Sequence, residues 1–512
     1  MRKKMNVLKA AKISSPRFLL MYSPLQFAPE EQAKPDGSLS LPYVSAALRH
    51  ASYDVRILDS SVGNESDTLE DTFFRPEPLD SGLVRVGMSR QRLEQEMADA
   101  DVIGISSIFT TQTSRVLEIT RLAHESGKLV IAGGVNARNL RRRFFDSGVD
   151  IIVLSEAELI IIALAEWIRG LKDIRDVPGI AYLDGDGREV LNPPGRVISN
   201  LDELPIPAWD LLPLDKYWDI SRPHGGQFPE NKRITYASLH TSRGCPFHCL
   251  YCHISKEDEG SVSGPLGRFR RHSVERVLEE MQILKDRGVE YLFFEDDSLF
   301  AKKKRAYSLF SAAQEMGLKL ADVNGINICH LLKNDGHKLV IDEEFLETLA
   351  AAGFEWLTLP FESGNERLLK KYSTQKWSLR KTDTEALIRA CVDHGIRVVG
   401  NYMIGYPDET IDEIHSTIMM AKLHVEQGLN HALLFGVVPF PGSMLYDTVI
   451  ANGQLDPDFD TDTMKWTKSI LKNTTVPADT LEQMRQLAWM TVNRLDFVEY
   501  KIGMRVTLPQ QW

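Results

Sequence analysis

Three cysteines crowd one loop of this chain, Arg243-Gly244-Cys245-Pro246-Phe247-His248-Cys249-Leu250-Tyr251-Cys252, directly after an apolar run, Ile234 to His240, that reads as a strand. The C-x3-C-x2-C spacing sets three thiolates on one tight turn, where they can hold three irons of a 4Fe–4S cube. Most cluster sites close with four cysteines. A loop that offers three leaves the fourth iron open to a small molecule, so the spacing points to a reactive cluster rather than an electron wire. The rival reading is structural zinc, which clustered cysteines also support. Zinc wants a closed tetrahedron of four ligands. Besides the loop the chain has only Cys329 and Cys391, and His248 sits inside the same turn, where closing a tetrahedron is strained.

At 512 residues the chain is long enough for two or three domains. Its 43% hydrophobic and 26% charged residues are those of an ordinary globular protein with ample material for a core. Five cysteines, three of them in one loop, make no disulfide framework and suit a reducing compartment. A net charge of -11 argues against a nucleic-acid partner, which calls for a basic surface. No segment reaches the length of a membrane span; the most apolar run, Leu159 to Trp167, reads as a buried helix. The basic start (Arg2, Lys3, Lys4, Lys9, Lys12) lacks the apolar core of a signal peptide and reads as a solvated tail. A cytoplasmic protein is expected.

Short apolar runs then alternate with helical stretches. Strands are expected at Phe18 to Tyr22, Val55 to Leu58, Val102 to Ser106, Leu129 to Ala132 and Asp150 to Leu154, with helices at Leu41 to Ser52 and Glu156 to Gly170. Continuous apolar strands between helices predict a parallel sheet covered on both faces. Ligands in such folds sit beyond the carboxyl ends of the strands. Those ends carry Ser106-Ser107, Gly133-Gly134 and Ser155-Glu156, and small residues there let a flat ligand approach the backbone. After residue 235 the alternation resumes, as a parallel βα barrel would, with its catalytic groups at strand ends. A helix from Val274 to Asp286 carries an apolar stripe with Ser273 as N-cap. Strands follow at Glu290 to Phe294, Trp356 to Phe361 and Val398 to Ile404, then a helix from Leu481 to Leu495 in the tail.

The cysteine spacing, with an aromatic residue before the last cysteine, resembles the signature of the radical S-adenosylmethionine (SAM) enzymes. Glu295-Asp296-Asp297, Glu362-Ser363-Gly364-Asn365, the strand closing with Asn401, Gly405 and Pro407, and Val437 to Ser443 resemble that family's successive strand-end motifs. The front half resembles the cobalamin-binding domain that precedes many such barrels, through Asp59, Ser106-Ser107 and Gly133-Gly134. It departs where the best-known cobalamin signature has a histidine, for Ser61 stands there. Ile198 to Asp210, broken by Pro205 and Pro207, resembles the linker of the cobalamin-dependent group. The resemblance implies an α/β chain: a tail (1–16), a doubly wound Rossmann-like cobalamin-binding domain (17–197), a linker (198–234), a partial (β/α)6 radical SAM barrel (235–450) and a helical C-terminal extension (451–512).

By the same resemblance Cys245, Cys249 and Cys252 bind a 4Fe–4S cluster; Tyr251, Asp296, Asp297, Glu362, Ser363 and Asn401 contact SAM; and Ser106, Ser107, Gly133 and Gly134 contact cobalamin. The tail helix is expected as a cap over the active site, and Cys329 is a candidate catalytic thiol at a strand end. The implied chemistry is reductive cleavage of SAM to a 5′-deoxyadenosyl radical, fed by a low-potential ferredoxin or flavodoxin. Methylation of an unactivated carbon or a phosphorus of a small molecule leads. A cobalamin-dependent cyclisation, oxidation or rearrangement is the alternative, and a noncatalytic cobalamin or iron–sulfur sensor is the alternative of another class. An RNA methylthiolating enzyme would carry further cluster cysteines and a basic appendage, and neither is visible.

Overall fold

The alternating apolar runs become parallel strands in both halves of the computed structural model, which describes residues 12–35, 37–224, 228, 232–336, 338–374 and 376–506. Most of the basic tail therefore lies outside the described residues. The chain divides into two units, Met1–Arg222 with Glu257–Leu266, and Pro223–Lys256 with Gly267–Trp512.

The first unit is built on a seven-stranded sheet. Its strands are β1 (Arg17–Tyr22), β2 (Asp54–Asp59), β3 (Val102–Ser106), β4 (Leu129–Gly133), β5 (Ile151–Val153), β6 (Ile180–Leu183) and β7 (Glu189–Leu191), in the order β7-β6-β5-β4-β3-β1-β2. β1 to β5 pair in parallel, with Phe18 opposite Val55 on one side and Val102 on the other. β1, β3, β4 and β5 are buried almost throughout, which is why they read as unbroken apolar runs. Helices α1 (Ser40–His50), α2 (Thr113–Glu125) and α3 (Ala157–Ile168) bury their apolar faces in this unit. β6 and β7 extend the sheet antiparallel, a departure from the purely parallel expectation. Their turn is Asp184-Gly185-Asp186-Gly187, where Asp184 accepts from the amides of Asp186 and Arg188. Such Asp-Gly turns favour a hairpin over a crossover.

The stretch expected as an extended linker is largely part of the first unit up to Arg222. Pro205 and Pro207 do keep its middle non-helical, but Leu201, Leu204 and Trp209 are buried, and α4 (Leu214–Ile220) follows. Apolar side chains spaced through a polar-looking stretch drive it onto the unit.

Six parallel strands make the sheet of the second unit, consecutive in order: β8 (Tyr236–Leu239), β9 (Tyr291–Phe294), β10 (Lys319–Asp322), β11 (Phe354–Glu362), β12 (Arg397–Ile404) and β13 (His431–Gly436). The helix expected after the cysteine loop forms as α5 (Val274–Asp286), and the Ser273 side chain accepts from the Arg276 amide at its start. β10 escapes a reading by pattern, since Lys-Leu-Ala-Asp is too short and too mixed to show a period.

The tail does not form one helix to Leu495. It forms α8 (Ala478–Val492) and α9 (Leu495–Val506), numbered after α6 (Glu366–Tyr372) and α7 (Ile411–Glu426). Leu481 joins Ile404, Ile414 and Val476 in one apolar cluster, which docks the start of α8 against β12 and α7. Asn493 completes the docking: its side chain accepts from the Ala432 amide and donates to the Ala432 carbonyl, satisfying the edge strand β13.

Candidate active site

Three residues separate β8 from the cysteine loop. Gly244 has φ +79°, and a side chain there would meet the Arg268 carbonyl at 2.4 Å, so only glycine allows this turn. The loop is tied down by its backbone: the amide of Cys245 donates to Gly267, and that of Leu250 to Tyr372. Cys249 is buried, Cys245 and Cys252 are half-buried, and none forms a disulfide. Burial raises the thiols of Cys245 and Cys249 and pushes Cys252 up to about 12. Three thiols on one turn, none in a disulfide, suit soft, positively charged iron, which stabilises the thiolate. Zinc fits poorly. His248 is exposed, and among the described residues no three His, Cys, Asp or Glu side chains converge as one ion would require. A cube has no such need, because each thiolate binds a different iron.

The acids after β9 come to this loop, but they are engaged with it. Asp296 is fully buried and accepts from the Thr241 amide (3.0 and 3.1 Å), the Thr241 hydroxyl (2.8 Å) and the Ser242 hydroxyl. Burial raises its carboxyl to about 6 against those hydrogen bonds. Asp297 Oδ2 accepts from the Gly244 amide at 2.9 Å. The two expected SAM contacts thus brace the cysteine loop, and for Asp296 the backbone role uses both oxygens.

The end of β11 brings Glu362 to Tyr251, whose hydroxyl donates to Oε1 at 2.5 Å. Lys376 donates to the same oxygen at 3.2 Å. Ser363 is buried, its hydroxyl 3.2 Å from that of Thr417 and accepting from the Asn365 amide. Asn365 caps α6 by accepting from the amides of Arg367 and Leu368. Asn401, on β12, keeps a buried Oδ1 with no hydrogen-bond partner. A buried acceptor without a partner in the protein can be satisfied by a bound ligand or by water.

Cys329 lies in the short helical turn Ile328–Leu331 after β10, its thiol pushed up to about 11 by burial. Cys391 is wholly buried in the helix Thr384–Asp393, where it acts as a small apolar side chain.

In the first unit the four expected residues meet at adjacent strand ends, Ser106 opposite Gly133. Gly134 has φ +100°, and a side chain there would strike the Ser107 carbonyl at 2.3 Å. The Ser107 amide donates to Gly133 and its hydroxyl accepts from Asn136, whose own Oδ1 has no partner. Ser38, Ser40 and Ser106 form a row of hydroxyls 3.2 and 2.9 Å apart. Asp59 is tied off, accepting from the amide and hydroxyl of Ser61 and from the Tyr217 hydroxyl. The pattern of single residues hid Lys376, Asn136, Ser38, Ser40 and Tyr217, because none stands in a motif. Only the small residues around Gly134 hinted at Asn136.

Residues 239–421 match the Radical SAM superfamily. The cytidylyl-2-hydroxyethylphosphonate methyltransferase of Streptomyces wedmorensis is 28% identical over 82% of this chain and 79% of its own. Two solved structures share the fold. They are the radical SAM methyltransferase TsrM of Kitasatospora setae (TM-score 0.62, 17% identity, 85% of this chain and 76% of that one) and the cobalamin-dependent SAM radical enzyme OxsB (TM-score 0.67, 15% identity, 92% and 66%). Residues 239–421 form a radical SAM domain. The fold of the chain, a Rossmann-like unit with a six-stranded parallel sheet after it, is that of these two solved structures. The protein is an enzyme that uses SAM and a 4Fe–4S cluster. No helix among the described residues is long and apolar enough to cross a membrane.

Proposed function

We propose that this enzyme methylates an unactivated carbon, or a phosphorus, of a small molecule, with cobalamin held by the first unit. The observation that carries the reading is the loop of three thiols, none in a disulfide, after the first strand of a six-stranded parallel sheet. The phosphonate methyltransferase, matched along most of both chains, supports the reaction type.

In this reading Cys245, Cys249 and Cys252 hold the cluster, and Asp296 and Asp297 fix the turn that presents them. Tyr251 and Glu362 form the wall beside Cys249, and Asn401 offers its free acceptor to SAM. Ser363 holds the turn after β11, so its part in SAM binding is through the backbone it orders. In the first unit the Ser106 hydroxyl and the backbone at Ser107, Gly133 and Gly134 give a neutral platform, and the Asn136 acceptor is free to bind a polar edge. Ser61 cannot replace a histidine ligand, so cobalamin is held without one from this loop. When bound, the cluster supplies the electron that cleaves SAM, and cobalamin carries the methyl group. The protein acts in the cytoplasm and draws electrons from a low-potential ferredoxin or flavodoxin.

The test is anaerobic purification of the full chain with cobalamin supplied, then metal counts and assay of SAM cleavage. About four irons, as a 4Fe–4S centre requires, with one equivalent of cobalt and formation of 5′-deoxyadenosine are expected. Iron without cobalt would overturn the cobalamin role and leave the first unit a scaffold. Absence of iron would overturn the whole reading.

A further inference from the structure

Lys376 lies in an irregular segment just beyond α6, outside every motif of the sequence. Its ammonium is 3.2 Å from Glu362 Oε1, 3.4 Å from the Tyr251 hydroxyl and 5.7 Å from the Tyr251 ring centre. The pair is dry: the side chains of Lys376 and Glu362 are 12% and 5% exposed. Burying two charges costs several kcal/mol each by order of magnitude, recovered only where the partners are well placed. Glu362 supplies the lysine's nearest counter-charge, and the backbone is bent to bring it there. Glu362 has φ +63°, rare for a residue with a side chain, and the pairing of β11 with β12 slips by one residue between Pro360 and Glu362.

Glu362 needs no cation merely to be satisfied, since Tyr251 already donates to it. Tyr251 stands in the loop between Leu250 and Cys252, so its contact with Lys376 sets the ammonium against the turn that carries the thiols. An iron–sulfur centre gains one negative charge on reduction, and net charge and hydrogen bonds to its sulfurs set its potential. A fixed cation in a dry site stabilises that added charge far more than one in water.

We propose that Lys376 is an electrostatic tuning residue: held by Glu362 beside the Tyr251 ring, its fixed positive charge raises the reduction potential of the cluster. The inference rests on the reading that Cys245, Cys249 and Cys252 carry the cluster. It makes the buried pair a two-way control, with Lys376 favouring the reduced form and Glu362 opposing it.

The experiment is a redox titration of the full chain with reconstituted cluster, without SAM, followed by electron paramagnetic resonance. Lys376→Gln should make reduction about tenfold less favourable, a shift of about 59 mV to more negative potential for one electron. Lys376→Arg, which keeps the charge, should stay near the unsubstituted protein. Glu362→Gln should move the potential the opposite way. A merely structural pair would shift both neutral variants in one direction or in neither, and either result overturns the proposal. If Lys376→Gln fails to hold iron, the comparison of Glu362→Gln with Lys376→Arg still decides, since the former must rise and the latter must not. Loss of the cluster signal in the unsubstituted protein would instead overturn the cluster assignment itself.

Discussion

Both units present loops at the carboxyl ends of parallel strands, yet they furnish those ends with opposite chemistry. In the first unit the ends of β3 and β4 carry serines and glycines, and the nearest acid, Asp59, is tied off by Ser61 and Tyr217. In the second, acids stand buried at or just beyond successive strands: Glu295 and Asp296 after β9, Asp322 on β10, Glu362 on β11 and Glu409 after β12. Burial raises Glu295 and Asp322 to about 7, Asp296 to about 6 and Glu409 to about 8. Most are occupied by backbone amides: Asp322 accepts from Gly325 and Thr358, Glu409 from Gly405 and Tyr406. One layout therefore serves two ends. The first unit keeps its strand ends small and neutral, while the second uses acids to pin the loops beyond its strands.

The largest effect expected is from Cys249→Ala. It should remove most of the bound iron and all SAM cleavage while cobalt binding persists, because the change touches one unit only. Retained iron and cleavage, measured by metal analysis and 5′-deoxyadenosine formation, would break the comparison at its strongest point.

The mirror-image change is Gly134→Val. It drives a branched side chain into the Ser107 carbonyl at a φ that such residues avoid, and should abolish cobalt binding while leaving about four irons per chain. Cobalt bound at the normal level would show that the platform lies elsewhere.

The smallest effect concerns Asp150, which precedes β5 in the first unit and accepts from the Val130 amide at 2.9 Å. Burial raises its carboxyl from 3.8 to about 7. The folded chain thus keeps a proton that the unfolded chain releases, so this contribution to stability is full below pH 3.8 and is lost as pH rises toward 7. Asp150→Asn keeps an acceptor without the charge. Denaturant titration should find the variant more stable than the parent at pH 8 by about 1–3 kcal/mol, a margin that shrinks at pH 5. An equal margin at both values would show that Asp150 is ionised in the folded protein throughout.

What the sequence determined by itself is whatever is local or periodic. Cysteine spacing fixes three thiols on one turn because the loop is short. Runs such as Val102 to Ser106 declare a strand buried on both faces, and Gly134 marks a φ that only glycine enters freely. Tertiary structure decided the partners of isolated polar residues. Lys376 lies 14 residues beyond Glu362 in an irregular stretch, and Tyr217 lies 158 residues from Asp59. Asp296, expected to contact SAM, is placed by the Thr241 amide, which donates to both of its oxygens. No period records such pairings, since a polar side chain outside a repeating pattern takes its direction from whichever unsatisfied group the fold sets before it.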